Sequence, residues 1–171
     1  MKNLEVVKLP HPTLRKKAHE VRDFGDSLQE LVEDMIVTMR EQDGVGLAAP
    51  QVNKSMRLIV VEYPEDDSRE DADAKLFVMV NPVIVKRSEE TVLGMEGCLS
   101  VPDIVGEVER AERVEVRGLN RYGKKMKVRA KGWLARVFQH EIDHLDGVLF
   151  VDKATQVWKP SDQEAMQAEQ V

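Results

Sequence analysis

The chain has 171 residues, 25 lysines and arginines against 31 aspartates and glutamates, and a net charge of -6; 42% of its residues are hydrophobic and 33% charged. This length supports one hydrophobic core and a single domain over residues 1–171, and the acidic balance gives no global attraction to nucleic acid, DNA included. No apolar run approaches the roughly 20 residues of a membrane span, and the lone cysteine, Cys98, rules out an internal disulfide. Met1 to Val7 carries neither the apolar core of a secretory signal nor an Arg-rich transit pattern, which predicts a cytoplasmic chain.

Leu9-Pro10-His11-Pro12 is extended, because a residue before proline is pushed out of the helical region. Arg15, Lys16, Lys17 and His19 make a small basic cluster, expected on the surface. Leu28, Leu31, Val32, Met35, Ile36 and Met39 recur with helical spacing, predicting a helix over 27–42 capped by Asp26 or Ser27. In the stretch from Asp43 to Gln51, Gly44 and Gly46 flank Val45. Two glycines there allow a close approach or torsions closed to other residues, and a helix C-cap and turn account equally for Gly44.

Arg57 to Tyr63 and Leu76 to Val85 read as strands, the second broken at Asn81-Pro82. Between them Pro64 to Asp73 is densely acidic, a solvated loop without the glycine of a calcium-binding loop. Val108 to Leu119 and Met126 to Ala130 alternate apolar and charged residues around Asn120-Arg121-Tyr122-Gly123, predicting an antiparallel hairpin. A terminal helix is expected over 161–170.

The most informative stretch is Gln139 to Gly147, where His140-Glu141-Ile142-Asp143-His144 sets two imidazoles one turn apart on a helix with a carboxylate beside the first. Such a pair can hold one metal ion while the glutamate faces a water. The alternative is a buried helix whose histidines only satisfy hydrogen bonds. Against it, Leu134, Phe138, Ile142, Leu145 and Leu149 form one apolar face and Trp133, Val137, His140, Glu141 and His144 a nearly opposite one, so the helix is buried on two sides and its polar groups need strong partners.

A catalytic site of this kind needs a third protein ligand and an open position. Gly147 fits the extended metzincin pattern, but Phe150 stands where its third histidine belongs. Glu164 remains a candidate in the manner of thermolysin-like sites. Cys98 is the stronger one, since a thiolate with two imidazoles makes a sound open site, and Gly94, Gly97 and Pro102 suggest an irregular backbone that presents it. The expected fold is α+β, with mainly antiparallel sheets packed around a central helix from about Trp133 to Leu145.

Three segments, Gly44-Val45-Gly46-Leu47-Ala48-Ala49-Pro50-Gln51, Glu96-Gly97-Cys98-Leu99-Ser100 and Gln139 to His144, resemble the signature motifs of peptide deformylases, in that family's order. Similarity extends through Leu9 to Val21 and Arg110 to Asn120. The resemblance implies hydrolysis of the formamide on the N-terminal methionine of newly made proteins, with a small zinc endopeptidase as the alternative. It implies a divalent metal on Cys98, His140 and His144, physiologically Fe(II), with zinc, nickel or cobalt able to replace it.

By the same resemblance Glu141 is the acid-base group, while the Gln51 amide and the Leu99 N–H stabilise an oxyanion. Gly46 and Gly97 bind peptide backbone, and Val45, Trp133 and Val137 line a methionine pocket. Glu96 and Gln139 support the site, and Arg110 pairs with Asp143. N-formylmethionyl nascent peptides are the implied substrates, with transient ribosome contact. Several bacterial relatives carry an arginine shortly after the cysteine motif, where this chain reads Ile104-Val105. Arg136, four residues before His140, either replaces that contact at the cleft mouth or extends its charge to water.

Overall fold

The computed structural model describes residues 1–160 and the backbone of 169–170. Its elements in chain order are helix α1 (Asp26–Glu41) and strands β1 (Gly46–Ala48), β2 (Leu58–Tyr63), β3 (Lys75–Arg87), β4 (Thr91–Cys98), β5 (Val101–Ala111), β6 (Arg113–Leu119) and β7 (Lys125–Lys131). Helix α2 (Gly132–Leu145), the single turn α3 (Phe150–Lys153), β8 (Gln156–Trp158) and β9 (Glu169–Gln170) follow. Two sheets result: a five-stranded antiparallel sheet in the order β1-β2-β3-β6-β7, and a four-stranded one in the order β8-β5-β4-β9 whose β4–β9 pair is parallel.

Helix α2 lies on one face of the five-stranded sheet. Its Leu134, Val137, Phe138, Ile142 and Leu145 share a cluster with Ile59, Val61, Phe77 and Met79 and with Val114, Val116, Val128 and Ala130. Phe77 and Phe138 meet edge to face at 5.4 Å. Helix α1 covers the opposite face over β1 to β3, where Val32, Met35 and Met39 join Leu58, Val60 and Val80. Strand β2 is therefore covered on both faces, which explains its unbroken run Leu58-Ile59-Val60-Val61. Strand β7 is covered on one face only and alternates accordingly. Burying each large apolar side chain contributes about 1.5–3 kcal/mol.

Several expectations change in detail. Gly25, not Asp26 or Ser27, occupies the N-cap of α1, leaving Asp26 in the first turn where its charge meets the helix dipole. The residue at positive φ after α1 is Asp43, at 54°, rather than Gly44 or Gly46. The hairpin of β6 and β7 forms as predicted, but Val108 to Ala111 belongs to β5, and the chain passes between sheets at Glu112. The backbone around Cys98 is not irregular as a whole: β4 and β5 are a regular hairpin with a register shift between Glu96 and Cys98. Of the terminal helix expected over 161–170, residues 161–168 lie outside the described residues, while Glu169 and Gln170 form a strand beside Glu96 and Gly97.

Helix α2 ends at Leu145, so Leu149 is not on its face but in a cluster with Cys98, Val101, Val108 and Phe150. The stop is made by Gly147 at φ 74°, whose N–H donates to the His144 carbonyl at 3.2 Å. A Cβ there would stand 2.7 Å from the Arg15 carbonyl oxygen. Gly147→Ala should therefore lose at least about 1–2 kcal/mol, the cost of a left-handed torsion for an alanine before the backbone clash is added. Urea unfolding of the variant beside wild type measures it.

Candidate active site

Two elements supply the chemistry. His140 and His144 project from α2, and Cys98 closes β4, with all three buried. One ligand atom from each lies within 4.8 Å of those of the others. Cys98 Sγ is 3.4 Å from His144 Nε2, and the two imidazole rings stand 5.0 Å apart at 67°. Phe150 does not ligate; its ring stacks on His140 with centroids 6.1 Å apart and the planes inclined by 20°. Glu164 lies outside the described residues.

Some polar atoms around this group are tied down, and others, the far nitrogen His144 Nδ1 among them, have no partner among the described residues. His140 Nδ1 is 2.8 Å from Glu96 Oε1, while His140 Nε2 and both oxygens of Glu141 are buried without a partner among the described residues. Buried polar atoms of this kind are costly unless something binds them. A divalent cation with its solvent fits the thiol, the free imidazole nitrogen and the carboxylate together. Histidines that merely satisfy core hydrogen bonds would leave no such orphans.

The electrostatics agree with that fit. Burial pushes the Cys98 thiol well up, and the neighbouring Glu141 charge adds to it; a bound cation acts in the opposite sense. Burial likewise raises the Glu141 carboxyl well above its ordinary 4.5, aided by the charge of Glu96. His144 is pushed well below 6.5 by burial and by His140, which keeps it in the neutral form that ligates. Glu96 goes the other way: burial opposes its ionisation, but hydrogen bonds from Arg110 and His140 outweigh it and hold the carboxylate charged.

Glu96 is fully buried and accepts from two arginines as well as facing His140. Arg110 donates through Nε and Nη2 at 2.9 Å each, and its Nη1 reaches Asp143 at 2.6 Å, the pairing that the family resemblance implies. Arg136 donates through Nη1 to Glu96 Oε2 at 2.7 Å and to the Val108 carbonyl at 2.9 Å, and through Nη2 to the Val92 carbonyl at 2.7 Å. Neither expected fate of Arg136 occurs: with 4% exposure it reaches neither the cleft mouth nor water. Its room comes from Gly94, where a Cβ would stand 2.6 Å from the guanidinium carbon. Trp133, Arg136 and Gly94 line a hollow of about 150 Å³ at the start of α2; Val45 and Val137 do not line it.

The glycine-flanked stretch serves close approach. A Cβ on Gly46 would stand 2.6 Å from Glu141 Oε2, so β1 passes directly over the carboxylate. Three residues on, the turn Ala49–Val52 buries Gln51, whose Oε1 accepts from the Ala48 N–H at 3.0 Å. Its Nε2 then faces Ser100 Oγ at 3.2 Å and Cys98 Sγ at 3.6 Å. Gln139 fastens α2 to the end of β5, accepting from the Ala111 N–H at 3.0 Å and donating to the Ala111 carbonyl at 2.9 Å. Val45 and Trp133 are half-buried, Val137 is fully buried, and Gly97 and Leu99 flank Cys98.

Sequence reasoning missed Arg136 as a partner of Glu96 and Gly94 as the residue that admits it. The only available signal was the pairing of a charged residue on a buried helix face with a glycine in a strand.

An acid whose pKa is raised on folding contributes stability that is complete below its ordinary value and lost as pH rises through the folded value. In chelator-treated protein the melting temperature of Glu141→Gln should therefore overtake that of wild type progressively as pH rises above 4.5. Calorimetry from about pH 5 to pH 8 measures the difference; a pH-independent one would mean that Glu141 ionises freely in the fold.

Comparison with known proteins gives this geometry its context. The model of the polypeptide deformylase family matches residues 3–159. The peptide deformylase of Symbiobacterium thermophilum is 53% identical over 152 residues, 89% of this chain and 67% of that protein. That of Desulforudis audaxviator is 45% identical over 155 residues, 91% of this chain and 96% of the other. Among solved structures, the class I type b peptide deformylase of Acinetobacter baumannii superposes with a TM-score of 0.82 at 44% identity, covering 90% of this chain and all of that one. The enzyme of Thermotoga maritima gives 0.82 at 39% identity over 91% of this chain. With a family match over nearly its whole length and relatives alike in sequence and fold, this chain belongs to the peptide deformylases, metal-dependent hydrolases that remove the N-formyl group from newly made peptides.

Proposed function

We propose that Cys98, His140 and His144 hold the metal, physiologically Fe(II), and that Glu141, Gln51 and Leu99 carry the reaction. The observation that supports this most directly is the meeting of three ligand atoms with an unpartnered, fully buried carboxylate beside them. The donor set of one thiolate and two imidazoles also accommodates zinc, nickel or cobalt. A metal bound there supplies Lewis acidity, which brings a water's pKa toward neutrality and polarises a carbonyl.

The protein's own groups do the rest. Glu141 accepts a proton from the attacking water as the water oxygen bonds to the formyl carbon. Charge gathers on the formyl oxygen, where Gln51 Nε2 and the Leu99 N–H donate. The C–N bond then breaks, Glu141 passes its proton to the departing amine, and formate leaves. The Gln51 amide is held at its oxygen by the Ala48 N–H, which keeps Nε2 on the side of Cys98.

Peptide backbone would pair with Gly46 and Gly97, and the methionine side chain would lie against Val45, Trp133 and Val137. Glu96 orients His140 from behind, and Arg136 acts on the site through Glu96. Transient contact with the ribosome and a cytoplasmic setting follow from such a substrate. The lone cysteine suits a reducing compartment, and no helix among the described residues is long and apolar enough to cross a membrane. The endopeptidase alternative loses support at Phe150, which packs on His140 where that class has a ligand.

Deformylation of formyl-Met-Ala-Ser and metal content, measured on protein purified without oxygen, test this reading. Cys98→Ala should lose both metal and formate release. Glu141→Ala should keep the metal and lose turnover, and Gln51→Ala should fall about a hundredfold or more in kcat. Cleavage of internal peptide bonds by metal-loaded wild type, without formate release, would refute it.

A further inference from the structure

An outer strand from each sheet borders the metal-ligand group. Strand β1, which carries Gly46 over Glu141, is outermost in the five-stranded sheet and pairs only with β2. Strand β4, which ends at Cys98, pairs with β5 along one side. Its other side is met at Glu96 and Gly97, both buried, by β9. There Glu96 registers with Glu169 and Gly97 with Gln170 in parallel, whereas the other paired strands are all antiparallel.

The edge of a strand presents a row of N–H and C=O groups that any extended segment can satisfy through its backbone alone. Here the chain supplies that segment itself. Strands β8 and β9 lie at opposite edges of the four-stranded sheet, three strand spacings or about 14 Å apart. Residues 159–168 separate them in sequence, a length that reaches up to about 33 Å when extended. Pro160 already stands beside the cleft, in the wall of a hollow of about 310 Å³ that Cys98, Leu99 and Val105 also line. A tether this short keeps the segment at a high effective concentration next to β4.

We propose that Glu169–Gln170 occupies the place on β4 that the backbone of the substrate takes, so that the chain competes with its own substrate for Gly97. The inference rests on the reading given above, in which the peptide pairs with Gly46 and Gly97. One strand edge admits one strand, so the docked segment and a bound peptide exclude each other. The pairing is two residues long and made by backbone, a contact weak enough to be displaced in every turnover. Apparent affinity for the peptide is lowered by the fraction of molecules whose edge is free, while saturating peptide still reaches full turnover.

The test compares full-length, metal-loaded wild type with two double variants. Glu169→Pro with Gln170→Pro removes both N–H donors and opposes strand pairing; Glu169→Ala with Gln170→Ala keeps the backbone intact. With formyl-Met-Ala-Ser the proline variant should show a KM about two- to tenfold lower at unchanged kcat, and the alanine variant should match wild type. Hydrogen exchange at 96–97 and 169–170 should be slower in wild type than in the proline variant by a similar factor. Excess product, Met-Ala-Ser, should speed exchange at 169–170 of wild type while 96–97 stays slow.

An unchanged KM in the proline variant, an equal fall in the alanine variant, or exchange at 169–170 indifferent to Met-Ala-Ser would each overturn the proposal. A KM that climbs with enzyme concentration would overturn it as well, since the occupant would then come from a second copy. Failure of the catalytic reading registers separately, as absent formate release in wild type with exchange at 96–97 and 169–170 still slowed.

Discussion

Everything in the site depends on the buried carboxylate of Glu96. It sits on β4, two residues before the cysteine ligand, and reaches Arg110 on β5 and both Arg136 and His140 on α2. A lone buried carboxylate is expensive, and its cost is offset only when every lone pair is met. Here two guanidinium groups and an imidazole meet them from three directions. The same carboxylate that fixes the His140 ring thus also locks the helix to the strand that bears Cys98. Removing any one partner would leave the others charged and uncompensated, so the group behaves as a unit rather than as separable pairs.

Close approach is the second constraint. Gly46 lets β1 pass over Glu141, and Gly94 makes room for Arg136. In both places a charged group is shielded from bulk water by backbone where any side chain would collide with it. The raised pKa of Glu141 follows from that shielding, and a carboxyl poised nearer neutrality is better suited to accept and return a proton.

How much of this was legible in the sequence depended on range. The histidine pair could be read because its chemistry rests on an i, i+4 spacing within one helix, and helix α1, strand β2 and the β6–β7 hairpin announced themselves by local periodicity. Cys98 could be ranked above Glu164 from donor chemistry, but its meeting with the histidines is a tertiary fact. The β4–β5 hairpin was obscured because Gly94, Gly97 and Cys98 break the alternation that marks a strand. Arg136 was misread for a related reason: a charged residue on a buried face finds its partner 40 positions away, and no local pattern carries that distance. The change of sheet at Glu112 was equally invisible: the charged pairs Glu109-Arg110 and Glu112-Arg113 interrupt the alternation, but nothing local says that the strands on either side belong to different sheets.

That change of sheet has a mechanical consequence. Cys98 belongs to the four-stranded sheet, while both histidines ride on a helix bedded on the five-stranded one. The chain joins the sheets at Glu112, whose carbonyl accepts from the Gly132 N–H at the start of α2 at 2.9 Å, and Gln139 grips Ala111 one residue away. Strand junction and helix origin thus share a single pivot. The gap between thiol and imidazole is therefore set by this junction at the start of α2 together with the Glu96 contacts nearer the ligands, and not within either sheet alone.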